Sequence, residues 1–326
     1  MNFYTMIVRV VSLGLLLAAA GTVIAQQTYP NRPVRYIIPY PPGGSTDPMG
    51  RMIATRLTER WGQSVVVDNR PGGNTIIGTE FLAKATPDGY TIGWASAAFF
   101  STPSLIANLP YDTLKDFVGV TTIGKSRNVL VLHPSVPANN LQELIALIKA
   151  KPGEFNFASS GVGTNTHLSG ELFNQVTGTK IIHIPYKGSG PATTDLLGGR
   201  VQMSFQVPIT VISFINAGRL KPIAVSGETR LQALPQVPTF IEAGLPAFGL
   251  TGVTGIIAPA RTPRPPINRI AREVAAILAM PSTQEFMARQ GAEPFISTPE
   301  QTDAVIKEEL VRYAKIIKDA GIKYQP

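Results

Sequence analysis

The chain has 326 residues, with 29 lysines and arginines against 21 aspartates and glutamates, a net charge of +8, and no cysteine. The missing cysteines exclude disulfides, thiolate metal sites, a cysteine nucleophile and a lipid-modified cysteine anchor. The basic residues are scattered, with no run of five or more. That pattern argues against nucleic acid as a partner and leaves a mild attraction for anions.

The first segment carries one basic residue, Arg9, then an uncharged apolar run from Val10 to Ala20, closed by small residues up to Ala25. An apolar core shorter than the ~20 residues of a membrane span, followed by a small-residue site, reads as a signal peptide. Residues 1–25 are therefore expected to be cleaved near Ala25 on export to the periplasm. No later stretch is long and apolar enough to span a bilayer.

Val34 to Ile38 reads as a first strand and Met49 to Trp61 as a helix, with Met49, Ile53, Leu57 and Trp61 on one stripe. Val65 to Val67, Tyr90 to Trp94 and Asn128 to Leu132 read as further strands, with a short helix at Thr79 to Ala85. Asn140 and Glu143 form a capping-box pair ahead of Leu141, Leu144, Ile145 and Ile148. Lys180 to Ile184, Val201 to Val207 and Lys221 to Val225 read as later strands. Ile267 to Met280 repeats its apolar residues at helical spacing. A last helix opens with Thr298 as cap, Pro299 and Gln301, and Gly321 stops it. Strands alternating with amphipathic helices predict an α/β fold with largely parallel sheets.

Two stretches read as crossings between domains, near 123–128 and 248–258. They predict a discontinuous first lobe, 26–125 with 250–326, and an inserted second lobe, 126–249. A cleft between such lobes is a usual ligand site.

Three glycine-rich loops each follow a strand and open a helix: Pro41 to Pro48, Ser159 to Thr166, and Tyr186 to Pro191. In the first, Asp47 reads as the helix cap, with Pro48 at the first helical position. Free backbone N–H groups and the positive end of a helix dipole make such places anion sites. Ser45, Thr46, Ser160, Thr164 and Thr166 could add hydroxyl donors. A single loop of this kind is commonly just a strand-to-helix connection. None matches a phosphate loop or a dinucleotide fingerprint.

Catalytic constellations are absent from the sequence. His133, His167 and His183 lie singly, with no metal-ligand spacing. No Gly-x-Ser-x-Gly elbow occurs, and Asp47, Asp68 and Asp195 are isolated carboxylates. Phe99 and Phe100 follow the Trp94 strand in a small-residue loop and read either as core or as an apolar wall. The chain is therefore expected to have no catalytic residues, no metal and no cofactor.

Several ordered stretches resemble one family along the length that follows the leader. They are Tyr29-Pro30-x-Arg32-Pro33, Ile38 to Asp47, Asp68-Asn69-Arg70-Pro71-Gly72, Pro87 to Thr91, Pro185-Tyr186-Lys187-Gly188, and Val237-Pro238-Thr239-Phe240-x-Glu242-x-Gly244. The resemblance is to the extracytoplasmic solute receptors of tripartite tricarboxylate transporters, the Bug family. Two departures stand out: Gly73-Asn74-Thr75-Ile76 replaces a glycine cluster, and Pro48 replaces a small aliphatic residue.

The resemblance implies a two-lobed periplasmic binding protein fold, type II-like, that closes on its ligand. It implies a carboxylate held by Gly43, Gly44, Ser45, Thr46 and Asp47, with Ala97, Ala98 and Phe99 lining the pocket. Ser160, Gly161, Thr164, Thr166 and Tyr186 would close it. The expected partners are a small organic acid (a di- or tricarboxylate, an acidic amino acid or an aromatic acid) and the membrane subunits of the transporter, with the receptor a monomer. Two rival readings are a receptor that presents its acid to a sensor kinase and an exported carboxylate-ester hydrolase.

Overall fold

A computed structural model describes residues 29–246, 248 and 250–322. The expected signal peptide, 1–25, lies outside them. The first strands and helices follow the alternation of the sequence: Val34–Ile38 (β1), Asp47–Trp61 (α1), Val65–Asn69 (β2), Ile76–Ala83 (α2) and Thr91–Ala95 (β3). β1 pairs in parallel with both β2 and β3, as strands joined through helices must. Ala97–Leu105 (α3) and Phe117–Ser126 (β4) complete this run.

A second sheet then forms from Val129–Leu132 (β5), Asn156–Ser159 (β6), Ile182–Pro185 (β7), Met203–Gln206 (β8) and Lys221–Val225 (β9). Its helices are Leu141–Ala150 (α4), Asn165–Thr177 (α5), Ser189–Leu197 (α6) and Ile212–Asn216 (α7). The chain returns through Gly252–Pro259 (β10), Arg264–Leu278 (α8), Pro281–Arg289 (α9), Ala292–Pro294 (β11) and Pro299–Asp319 (α10). The sheets are ordered β11-β4-β10-β3-β1-β2 and β7-β6-β8-β5-β9, so the fold is α/β with two lobes, one around each sheet. All these elements belong to one unit, residues 32–326. No helix among the described residues is long and apolar enough to cross a membrane.

The sheets are mixed rather than largely parallel. Strands linked through a helix on one sheet run parallel, as β6 does with β7 and β8. The strands that carry the chain between sheets arrive without such a helix and run the other way. Thus β10 is antiparallel to both β3 and β4, and β5 is antiparallel to β8 and β9.

The segment expected as a small-residue loop, containing Phe99 and Phe100, is the helix α3. Residues 97–102 are all buried in it, and a helix apolar all round shows no amphipathic stripe. Phe99 packs edge-on against Phe117 at 5.3 Å, and Phe100 stacks on Tyr313 of α10 at 6.0 Å. Each such side chain contributes about 1.5–3 kcal/mol on burial, which fixes α3 against α10. Both phenylalanines are core.

The helix starts read from sequence divide into two kinds. Asn140 accepts from the Glu143 N–H at 2.9 Å, and Thr298 makes a full capping box with Gln301. Asp47, expected as a cap, sits instead inside the first turn of α1, and Thr46 is the cap residue without a side-chain bond.

Candidate functional site

A cavity of about 190 Å³ opens where α1, α3, α5 and α6 begin. That is far more than the ~10–15 Å³ one water requires. The loop 40–46 before α1 and residues Trp94, Ser96 and Ala97 at the start of α3 form the wall from the first sheet. Ser160 and Thr164 to Thr166 at α5, and Lys187 to Pro191 at α6, form the wall from the second. Gly252 to Thr254 of β10 and Gln290 also reach it.

The cap residues of three of these helices, Thr46, Ser96 and Gly188, make no side-chain cap bond. Apart from the Phe99 N–H, which donates to the Ser96 carbonyl at 2.8 Å, their first-turn N–H groups keep capacity for an anion at the positive end of each dipole. In α5, Thr164 does accept from the His167 N–H, at 3.4 Å. Among the described residues no aspartate or glutamate lines the cavity, and Lys187 is its one charged residue.

The loops are held from behind. Asp47, only 6% exposed, accepts from the Gly43 N–H at 3.2 Å, from Arg51 at 2.8 Å and from Asn69 at 3.1 Å. Burial opposes its charge, but the bonds from Arg51, Gly43 and Asn69 and the Arg51 charge outweigh it and hold the carboxyl below its ordinary range. Gly43 itself has φ +76 with open space around its α-carbon, so the turn requires glycine for its backbone rather than for room. Tyr40 and Ser96 bond through their hydroxyls at 2.8 Å and tie the α1 loop to the α3 start. Burial pushes the Tyr40 hydroxyl up to about 12, the Ser96 bond offsetting part of that.

Opposite them, Thr166 Oγ lies 2.9 Å from Ser160 Oγ and 3.0 Å from Thr164 Oγ, and Thr164 donates to the Gly161 carbonyl at 2.6 Å. Behind the cavity, Ser101 of α3 donates to the Gly163 carbonyl at 2.7 Å and ties the two sides together.

Of the residues expected at the site, Gly43, Gly44, Ser45, Thr46, Ala97, Ser160, Thr164 and Thr166 meet at this cavity. Asp47, Ala98, Phe99, Gly161 and Tyr186 do not line it. Ala98 and Phe99 are buried in the α3 core. Gly161 sits one residue behind the wall, its carbonyl taken by Thr164. Tyr186 points its hydroxyl to Asp195 at 2.8 Å, and burial followed by that carboxylate pushes it up to about 12. Sequence reasoning missed Trp94, Asn165 and Lys187. Trp94 ends a strand without any motif, whereas Asn165 lies within the glycine-rich loop Ser159 to Thr166 and Lys187 adjoins Tyr186 in the third such loop.

The histidines do not all lie singly. His167 and His183 stack with centroids 3.9 Å apart, and Phe157 stacks on His183 at 4.9 Å, because α5 and β7 both pack on β6. With Glu171 they form a cluster whose ligand-type atoms fall within 4.8 Å. Stacked rings point their in-plane lone pairs side by side, not at a common centre. His167 Nδ1 already accepts from the Gly163 N–H at 3.0 Å, and His183 Nε2 lies 2.6 Å from Ser159 Oγ. Burial, then His167, lowers His183 to about 3, so it packs as a neutral ring behind the Ser159–Gly163 loop.

Known proteins share this fold. The model of the tripartite tricarboxylate transporter family receptor matches residues 49–322. Protein BugT of Bordetella pertussis (strain Tohama I) is 40% identical over 315 residues, covering 95% of this chain and 97% of that one. The structure of R. palustris Rpa4515 with adipate superposes with a TM-score of 0.87 at 34% identity, covering 90% of this chain and 99% of that one. That of the periplasmic binding protein BugD gives 0.84 at 33%, covering 91% and 100%.

Proposed function

Since this chain belongs to the receptor family of the tripartite tricarboxylate transporters, we propose that it captures a small organic carboxylate in the 190 Å³ cavity and delivers it to a transporter's membrane subunits. The observation that carries the reading is the meeting of four helix N-termini around a cavity whose lining has no acidic side chain. Backbone N–H groups at Gly44 to Thr46 and around Ala97 meet one carboxylate, while the Gly43 N–H stays on Asp47, and the Ser160, Thr164 and Thr166 hydroxyls close over it. Asp47, Ala98, Phe99, Gly161 and Tyr186 act from behind, by fixing the loops. The adipate in the Rpa4515 structure supports the ligand class.

Capture proceeds by closure of lobe 126–249 on the lobe made of 26–125 and 250–326. The crossings give this reading its support. Arg127, 5% exposed, bonds to Thr229 on one side and to Glu293 on the other, and Asn128 donates to Ser169 at 2.8 Å. Ser101 and Gly163 then form the latch of the closed state. The receptor works in the periplasm as a monomer, with residues 1–25 removed near Ala25.

A thermal-shift panel tests the reading, because a ligand at 100 times its Kd stabilises the fold by about 2.7 kcal/mol. Organic acids are expected to raise the melting temperature. A panel in which sugars or amines do so and no acid does would overturn it.

A further inference from the structure

We propose that Trp94, Asn165 and Lys187 are the specificity-determining residues of the cavity, selecting a dicarboxylate that carries no ammonium group. The proposal rests on the receptor reading above and narrows its ligand class. Trp94 is 5% exposed, and its indole Nε1–H is buried without a partner where the ring lines the cavity. An indole N–H can only donate, so it asks for a ligand oxygen and offers nothing to an ammonium. Asn165 is 9% exposed at the start of α5 on the opposite cavity wall, and both polar atoms of its carboxamide lack partners. Buried polar groups left unpaired cost about 1–3 kcal/mol each, and a ligand oxygen offsets that cost at the N–H donors of Trp94 and Asn165, while Asn165 Oδ1 takes a donor.

Charge points the same way. Lys187 stands at the cavity mouth, and none of the ion pairs among the described residues includes it. Asp47, the acid next to the first loop, does not line the cavity and is engaged by Gly43, Arg51 and Asn69. An ammonium drawn into this cavity sheds water and meets a neutral acceptor, Asn165 Oδ1, but no carboxylate, whereas a second carboxylate finds Lys187. The helix starts hold the first carboxylate. Trp94 and Asn165 meet oxygen atoms, and Lys187 meets the second carboxylate at the mouth.

Calorimetry with matched acids tests this on the full chain. Succinate, glutarate and adipate are each compared with their 2-amino counterparts (aspartate, glutamate and 2-aminoadipate), with the monocarboxylates butyrate, valerate and hexanoate, and with benzoate. The best dicarboxylate is expected to bind about tenfold or more tightly than its amino counterpart. Lys187→Gln is expected to weaken it about tenfold while leaving the monocarboxylate within about twofold, and Trp94→Phe to weaken it about fivefold. An amino acid binding as tightly as its parent acid overturns the proposal and leaves the receptor reading intact. Tight binding of benzoate alone does the same, as does a Lys187→Gln protein with undiminished dicarboxylate affinity. Failure of every acid with a folded protein sinks both.

Discussion

Helices α4 and α10 begin at Asn140 and Thr298, whose side chains accept first-turn N–H groups and close those ends. Helices α1, α3 and α6 begin at Thr46, Ser96 and Gly188, where no side chain does so, and these three ends face the cavity. Both kinds of start obey the same rule, that the first N–H groups of a helix need acceptors. One kind carries the acceptor in its own sequence, and the other leaves the position to a ligand. Among these five helices the closed starts lie away from the cavity and the open ones at it, whereas α5 reaches the cavity with its start closed by Thr164.

The largest break of this contrast comes from giving a cavity helix its own acceptor. Ser96 has extended backbone, φ −156 and ψ −170, as a cap residue should. Ser96→Asp places a carboxylate on the free N–H groups of α3, at the point where the ligand is expected. The unliganded protein is expected to gain about 0.5–1 kcal/mol in urea unfolding. Acid binding by calorimetry is expected to fall on the order of a hundredfold, since like charges meet in the cavity.

Next comes the approach of the two walls. Gly163 has φ +74, and a β-carbon there would lie 2.6 Å from Ser101 Oγ and 2.7 Å from Leu105 Cδ1. Gly178, the C-cap of α5, has nearly the same φ of +65 and open space. Both alanine variants suffer the left-handed backbone penalty of about 1 kcal/mol. Only Gly163→Ala forces α3 from the loop, so it alone is expected to lose about tenfold in ligand affinity. Equal affinities in the two variants would remove the latch assigned to Ser101.

Asp47 offers a test by pH. Its carboxyl is held below the ordinary range, so its contribution to stability is complete above the unfolded value of ~3.9. As the pH falls below that value and through the lower folded one, the proton binds and the contribution is lost. Asp47→Asn is expected to lower the melting temperature by about 2–6 °C at neutral pH. The gap between variant and parent is expected to shrink only below about pH 4 in melting scans.

Legibility in the sequence followed the same division. β1, β9 and the capping box of Thr298 and Gln301 were readable residue for residue, because periodicity and caps are local signals. The three cavity loops were readable because glycine, serine and proline after a strand mark a turn into a helix. α3 was not: with residues 97–102 all buried and Pro103 inside it, it shows no stripe and carries a breaker. The stack of His167 on His183 was invisible because it depends on two elements meeting over β6. Trp94 and the β10 residues enter the cavity by tertiary placement, which no spacing announces.

The smallest effect belongs to the closed helix starts, and it is the one that shows whether the contrast is real. Asn140→Ala and Thr298→Ala each remove an acceptor from first-turn N–H groups far along the chain from the cavity loops. Each is expected to cost about 1 kcal/mol in urea unfolding. Acid affinity is expected to stay within about twofold, because neither residue lines the cavity and well-separated sites add independently. A matching loss of affinity in either variant would mean that the closed and open starts are coupled through the fold. Binding would then depend on the whole scaffold rather than on the ends of α1, α3 and α6.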